Sequence, residues 1–424
     1  MAGIKEINGV KKASVKNVGG ISMGTIGGIG AGNIIGLPRA FCWTVKYAAG
    51  SSDNWLLTHT ASGFNPADPT AQVPGENNYA PSSSWMAYWQ GGYGGGGMSA
   101  QTFGVDNSGI YWWGAVRYND VGRCFMHGTS SQIIDGNADP VEAHGVWPND
   151  ATMSNSRWQE YVIYGELDKV WIVGKGSKNV ESMAVSYSDP KQANDQMSWT
   201  SITNLQGSSN TNKCQPVYCG GRKYAALQGN NFFLNNGATS SSVSTQSDWV
   251  QKTDPGTASD DVNWMAYGAH PDHPDGVFVV LGGGSQEIKI SLDNGANWSD
   301  ATVGSGGTAR EMTSVCYDTR RKQFIAVGVF GRILTSSASD PTQWAVAGNN
   351  SDYNGDAGNT HYGVRTDGYN VVITGLNVIK ISTGSLEVFE TIPNATTQTS
   401  GKTFPSTADS YFMFGATPGQ IRAI

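Results

Sequence analysis

Charged residues make up only 14% of this 424-residue chain, well below the ~25% of an ordinary soluble domain. The net charge is −7 and no basic block occurs. The Lys/Arg footprint that neutralises phosphates is therefore missing, and nucleic acid is not expected as a partner. No apolar run approaches the ~20 residues that span a bilayer, so membrane insertion is not expected. The opening MAGIKEINGVKKAS lacks the apolar core of a signal peptide, so classical export is not expected either. Cysteine is scarce and odd in number: Cys42, Cys124, Cys214, Cys219 and Cys316, with no CxxC pair. Such a count argues against a disulfide framework or a zinc site. Cys214 and Cys219 are five apart in CQPVYC, which on a strand puts them on opposite faces. Buried free thiols in a reducing compartment are the expectation.

Long amphipathic helical patterns are also missing. What is there instead is glycine, 56 residues, about twice the usual ~7% share. Trp and Tyr are plentiful at 14 and 17. A chain rich in Gly, Asn, Ser, Thr and aromatics reads as many short strands joined by tight turns. The fold class is all-β.

The strands are organised by a repeat. The segments 216–249, 264–298 and 314–344 each run strand, polar turn, apolar strand, Gly-rich turn, strand, Ser/Asp-rich turn, then Trp. Segments 160–199 and 364–389 obey the same order. The closing aromatics are Trp147, Trp199, Trp249, Trp298, Trp344 and Phe389, separated by 52, 50, 49, 46 and 45 residues. A period of ~40–50 residues with four strands per unit is that of a β-propeller blade. Earlier, residues 44–63 match two strands, with Trp85 as closing aromatic, and a further unit runs from residue 100 to Trp147. Residues 402–424 supply three strands and stop before a Trp strand. The expected architecture is a propeller of seven or eight four-stranded blades, closed by an N-terminal strand from about residues 24–37. Its domains are 1–37, a repeat, attachment and ring-closing segment, and 38–424, the propeller.

One turn in the repeat carries a resemblance. SLDNGANW at 291–298 resembles the Asp-box, S-x-D-x-G-x-x-W, of sialidase-like propellers. The resemblance implies a peripheral turn between the third and fourth strands of a blade. Ser291 and Asp293 would bond nearby amides, Gly295 would take positive φ, and Trp298 would pack between blades. Asn297 stands where Thr is common, and SASDPTQW at 337–344 keeps a degenerate form. The box speaks for the fold rather than for activity.

A second, shorter repeat fills the N-terminus. INGVKKASVKN (7–17) aligns with VGGISMGTIGG (18–28), and IGAGNII (29–35) opens a third copy. Gly and β-branched residues at this spacing favour short strands and turns over a helix. Over about residues 4–35 the pattern resembles Ile-Asn-Gly-Val repeats near the start of structural proteins from tailed bacteriophages. That resemblance implies a short β attachment segment on a virion component.

The sialidase-like resemblance also implies a chemistry to test. It would need an arginine triad, a Tyr–Glu nucleophile pair and an Asp acid/base. Arg117, Arg222, Arg310, Arg332 and Arg365 exist, but LPRAF at 37–41 does not replace the early Arg-Ile-Pro signature. Glu160 beside Tyr161 lies in a strand pattern, where neighbours point to opposite faces. HPDHPDG (270–276) groups His270, Asp272, His273 and Asp275, yet two prolines and a glycine make it a turn before a metal site. DYNGDAG (352–358) has oxygen ligands in Asp352, Asn354 and Asp356 but lacks the glycine and bidentate Glu of a calcium loop. GGYGGGG (91–97) and LGGGS (281–285) lack the Lys-Ser/Thr ending of a phosphate loop. No catalytic residue, metal or cofactor is expected. The long irregular stretch 57–101 has the composition of an adaptable recognition loop, and Tyr79, Trp85, Tyr88, Trp89 and Tyr93 are its candidate binding residues.

These readings combine into one expectation: a non-enzymatic virion protein of a tailed phage, assembled in the host cytoplasm. Its role would be a tail fibre or tail-associated host-recognition protein that binds surface glycan. The alternatives are a capsid decoration or head-fibre protein and, from another class, a sialidase-like glycoside hydrolase. Expected partners are other virion proteins, further copies of the chain, and a host surface polysaccharide or receptor.

Overall fold

The structure is a computed structural model. It describes strand backbone between residues 6 and 423, outside 60–102, 129–140, 143–158, 187–199, 257–261, 283–287, 305–311, 348–359, 392–407 and a number of shorter joins; its side chains are described chiefly from residue 214 to residue 389. The N-terminal repeat forms two short hairpins, β1 (Glu6–Ile7) with β2 (Val10–Lys11) and β3 (Asn17–Val18) with β4 (Ile21–Ser22). Ile7 pairs with Val10 and Val18 with Ile21, so the eleven-residue spacing of the sequence recurs as a spacing of hairpins. Asn8-Gly9 and Gly19-Gly20 separate the paired strands, and such dipeptides favour two-residue hairpin connections. A further strand comes next, β5 (Ile34–Gly36), then two long ones, β6 (Arg39–Ala49) and β7 (Ser52–His59).

From here the chain lays down one sheet after another, each an antiparallel meander in sequence order. The first holds β8 (Phe103–Val105), β9 (Tyr111–Ala115), β10 (Cys124–Gly128) and β11 (Val141–Glu142). The second holds β12 (Gln159–Gly165), β13 (Val170–Lys175), β14 (Glu181–Ser186) and β15 (Thr200–Thr203). The third is β16 (Cys214–Gly220), β17 (Lys223–Gln228), β18 (Asn231–Asn236) and β19 (Val250–Gln251). The fourth is β20 (Val262–Gly268), β21 (Val277–Gly282), β22 (Ile288–Ser291) and β23 (Ser299–Asp300).

The fifth sheet gains a strand. Its meander is β25 (Met312–Asp318), β26 (Gln323–Gly328), β27 (Ile333–Ser336) and β28 (Gln343–Val346), and β24 (Thr302–Val303) adds in parallel outside β28. The sixth is β29 (His361–Thr366), β30 (Val371–Gly375), β31 (Val378–Ser382) and β32 (Glu390–Thr391). From the second sheet to the sixth, each packs on the next through its first strand: β12 on β16, β16 on β20, β20 on β25 and β25 on β29. Repeated four-stranded meanders packed in this way are the blades of a β-propeller.

The period-2 alternation of a strand explains the packing. Along β17, Tyr224 and Ala226 join a cluster with Ile172, Met183 and Val185 of the preceding sheet, while Ala225 and Leu227 join Met265, Phe278 and Val280 of the next one. Along β21, Phe278 and Val280 face back while Val277, Val279 and Leu281 face Met312, Val315 and Phe324. Along β26, Phe324 and Ala326 face back while Ile325 and Val327 face Val364, Val371 and Ile373. Both faces are buried, so these strands carry continuous apolar stretches, YAAL in KYAALQ, all of VFVVLG and FIAVG in QFIAVG. The closing aromatics take part: Trp249, Trp298, Trp344 and Phe389 each pack at the interface with the preceding sheet. Trp147 and Trp199 lie outside the described residues.

The sequence expectation has residues 402–424 form three strands completed by residues 24–37; the two ends do pair, and β5 within 24–37 takes part, but the strands are fewer and the main partner is another. Instead β33 (Ala408–Pro418) is one long strand that pairs with β6, whose other edge pairs with β7. The last strand, β34 (Ile421–Ala423), pairs with β5. The reason is length: β33 and β6 are eleven residues each, and nine residue pairs align along them despite two register shifts. A long partner outcompetes a set of short ones because each ladder step is gained without closing a new loop.

Phe324 is fully buried between two sheets, whereas Val250 on an outermost strand is 53% exposed. Replacing Phe324 with Ala is expected to cost about 3–5 kcal/mol of stability, and Val250→Ala within ~0.5 kcal/mol. Urea denaturation followed by circular dichroism checks both.

Candidate functional site

The turn at 291–298 lies between β22 and β23 and is built around one buried hydroxyl. Ser291 Oγ donates to Asp293 Oδ1 at 2.9 Å and accepts the amide N–H of Gly295 at 2.8 Å. Asp293 in turn accepts the Asn297 amide at 2.9 Å and the Asn297 side-chain N–H at 2.7 Å. Partial desolvation works against the Asp293 carboxylate, but the bonds from Asn297 and Ser291 prevail and hold it below its ordinary range. The turn then clasps the preceding sheet. The Thr253 amide donates to Gly295 O at 3.1 Å, Thr253 Oγ1 to Ala296 O at 2.7 Å, and Trp298 Nε1 to Thr253 O at 3.0 Å. The Trp298 ring meets Phe232 edge-on at 5.3 Å. In the next sheet SASDPTQW keeps the scheme in altered form: Asp340 Oδ1 accepts from the Thr342 amide at 2.9 Å, and Trp344 Nε1 donates to Pro341 O at 2.9 Å.

HPDHPDG forms the connection from β20 to β21. His270 is buried, and its Nε2 bonds Ala338 O of the next sheet at 3.0 Å while its Nδ1 accepts the Asp272 amide at 3.3 Å. These partners select the Nε2–H tautomer. The His273 ring sits 5.1 Å away. Among the described residues no three His, Cys, Asp or Glu side chains are grouped to hold a metal. Tyr79, Trp85, Tyr88, Trp89, Tyr93 and the DYNGDAG stretch lie outside the described residues. Cys214 and Cys219 fall in different inter-sheet clusters, on opposite faces of their sheet. Burial pushes both thiols up, and pushes Cys316 up to about 12.

The polar groups that sequence reasoning missed line the first strands. Gln215 Nε2 donates to Met265 O of the next sheet at 3.1 Å. Thr313 Oγ1 bonds His361 O of the next sheet at 2.6 Å. Ser314 Oγ accepts the Val364 amide at 3.4 Å and Arg365 Nη1 at 3.2 Å. Arg365 Nη1 also donates to Val364 O at 2.7 Å, and its guanidinium lies 4.9 Å from the Trp264 ring centre. Ser314, Trp264 and Arg365 therefore join three successive sheets. Burial lowers the Arg365 pKa to about 10.

A backbone feature recurs beside them. Register shifts fall between Gln159 and Tyr161, Val262 and Trp264, Met312 and Ser314, and His361 and Gly363. β33 has the same shift between Ala408 and Ser410. Each is a bulge one residue into its strand, and a bulge re-aims the side chains beyond it. Strict alternation at Glu160 and Tyr161, expected from the sequence, is thus broken at the backbone.

No family model matches the chain and no curated protein matches it. Solved structures similar to the chain include two of YCF48. "YCF48 bound to D1 peptide" has 10% identity, a TM-score of 0.47, and covers 76% of this chain and 91% of its own. YCF48 from Cyanidioschyzon merolae has 11% identity, a TM-score of 0.44, and covers 75% of this chain and 95% of its own. At these scores neither likeness transfers a ligand to this chain. The expectation of a phage virion protein is nevertheless corrected: these two similar structures are YCF48, one of them bound to a peptide, and neither the tail-fibre reading nor its capsid-decoration and glycoside-hydrolase alternatives find support. The expected virion and polysaccharide partners fall with it. The physical reason lies in the N-terminus, where the hairpins of β1–β4 account for the repeat by turn chemistry alone.

Gly295 has φ +80° and a Cβ there would stand 2.4 Å from Phe232, whereas Gly256 has φ +71° with nothing within 4 Å. Gly256→Ala is expected to cost ~1 kcal/mol, from backbone strain alone. Gly295→Ala should cost about 2–4 kcal/mol, since overpacking adds to strain. Thermal melts of both variants measure the difference. The lowered Asp293 carboxyl gives a pH signature: its contribution is present above the unfolded value of about 4 and is lost as pH falls through the lower folded value. The melting difference between wild type and Asp293→Ala should accordingly shrink between neutral pH and about pH 3.

Proposed function

We propose that this chain is a non-enzymatic binding module: a seven-bladed propeller whose ring is joined where β33 pairs with β6, with its ligand-binding mouth at the end where the inner strands begin. The observation that carries the mouth is the recurring bulge at the second residue of β12, β20, β25, β29 and β33. Bulges concentrate at barrel rims and beside binding sites, where they terminate pairing and re-aim side chains. Glu160, Asn263, Thr313, Tyr362 and Asp409 occupy those positions.

The blade count is supported by the seven sheets of three or more strands among the described residues. Their packing runs from β8 through β12, β16, β20, β25, β29 and β33, and β33 packs on β8 in turn. Binding without catalysis is favoured by how the inner-strand polar groups are used. Gln215 and Thr313 are bonded to backbone carbonyls of a neighbouring sheet, and Ser314 to a neighbouring amide, so each holds sheets together rather than standing ready as a nucleophile.

Two experiments test these statements. Thr44 and Phe412 face each other in register, and directly paired antiparallel residues lie within disulfide reach. Oxidised Thr44→Cys/Phe412→Cys should run as a cross-linked species on a non-reducing gel, with neither single variant doing so; no cross-link would break the ring assignment. For the mouth, wild type would be screened on peptide and small-molecule arrays. Each hit should weaken at least ~10-fold, or ~1.4 kcal/mol, in a folded Asn263→Arg/Tyr362→Ala variant and persist in Asp272→Asn/His273→Ala at the opposite end. The reverse pattern, or turnover of a hit, would overturn the reading.

A further inference from the structure

Arg365 is 9% exposed, and a buried cation is costly unless a charge or several hydrogen bonds compensate it. Among the described residues its partners are all neutral: the Ser314 hydroxyl, the Val364 carbonyl and the Trp264 ring. The thiol of Cys316 is the group coupled to it electrostatically, and with a pKa pushed up to about 12 it is neutral near pH 7. The bonds to Ser314 and to Val364 both leave from Nη1. The Nε–Nη2 edge, whose parallel N–H bonds grip planar oxyanions in a bidentate fork, has no partner among the described residues.

We infer that Arg365, held by Ser314 and backed by Trp264, is the binding site of a small oxyanion, seated on the Nε–Nη2 edge between inner strands of neighbouring blades. Small size follows from burial, which leaves no room for an extended ligand to surround the guanidinium. Oxyanion rather than halide follows from the two-pronged edge, which a single spherical ion cannot span as well. Trp264 fixes the plane of the fork, because the guanidinium lies over its ring. The Ser314 hydroxyl fixes the fork's rotation through Nη1. The inference does not depend on the proposed mouth, since Arg365 lies three residues beyond the bulge of its strand.

The test uses the full chain in a buffer free of phosphate and carboxylate, with thermal melting as readout. Inorganic phosphate and acetate are titrated separately, with sodium chloride at matched ionic strength as control. At a hundredfold excess over Kd the melting temperature should rise by ~3 °C, with chloride giving no rise. Arg365→Gln should remove the rise, and Arg365→Lys, a point charge without the fork, should keep only part of it. A rise of equal size in wild type and Arg365→Gln would place the ion elsewhere and overturn the inference, as would a wild type that does not respond. Should Arg365→Gln fail to fold, phosphorus-31 line broadening of phosphate by wild type, reversed by acetate, decides the matter, and no broadening overturns it. These outcomes are separate from those for the mouth, which are read in Asn263 and Tyr362 with Arg365 intact.

Discussion

The structure depends on one constraint: its middle strands are apolar on both faces, so no sheet can be satisfied alone. Phe278 and Phe324 sit on the same side of equivalent strands in successive sheets, and each fills the space left by the sheet before it. Burying one such ring is worth about 1.5–3 kcal/mol, and the third, fourth and fifth sheets each bury apolar side chains on both faces. Stability is therefore a property of interfaces, and a sheet taken from the stack would expose two apolar faces at once. The outer strands are under no such pressure, and they shorten to two residues in β19, β23 and β32.

Apolar packing alone does not fix how far one sheet slides along the next. That task falls to polar groups that reach across an interface to backbone. Thr253 and Trp298 do so at the periphery, His270 at the connection between first and second strands, and Gln215 and Thr313 near the axis. These bonds are directional and their partners are backbone carbonyls, so a slipped sheet would leave donors and acceptors unmatched. Lys223 adds a softer contact of the same kind, donating to Asp275 O of the next sheet while its ammonium lies over the Tyr267 ring.

The repeat was legible in the sequence because it rests on short-range chemistry. Each Trp at the end of a unit, each Gly-rich turn and each doubly apolar strand such as VFVVLG announces its own environment. The pairing of β33 was not legible, because alternation in ADSYFMFGATP says that a strand forms and nothing about which distant strand it meets. Bulges were equally hidden: Asn263 and Thr313 carry no glycine or proline to mark them, and only the register reveals the extra residue. Arg365 looked like any strand arginine in GVRTDG, since its burial is set by Trp264 and Ser314, which are far away in sequence. The virion reading went astray where low-complexity resemblance was asked to carry function. Repeated Asn-Gly and Gly-Gly between β-branched residues specify hairpins, whatever protein they belong to.

The pairing of β33 with β6 has a consequence for the order of assembly. During synthesis β6 and β7 emerge before the six four- and five-stranded sheets, and each of these can stack on its predecessor as it appears. The partner of β6 is made after all of them, so β6 must wait with an unpaired edge while the six intervening sheets are laid down. Such an edge is a template for any passing strand, and a contact between distant parts of a chain is slow to form. That late pairing is also the one most open to exchange, in which β33 of one chain docks on β6 of another and links two molecules.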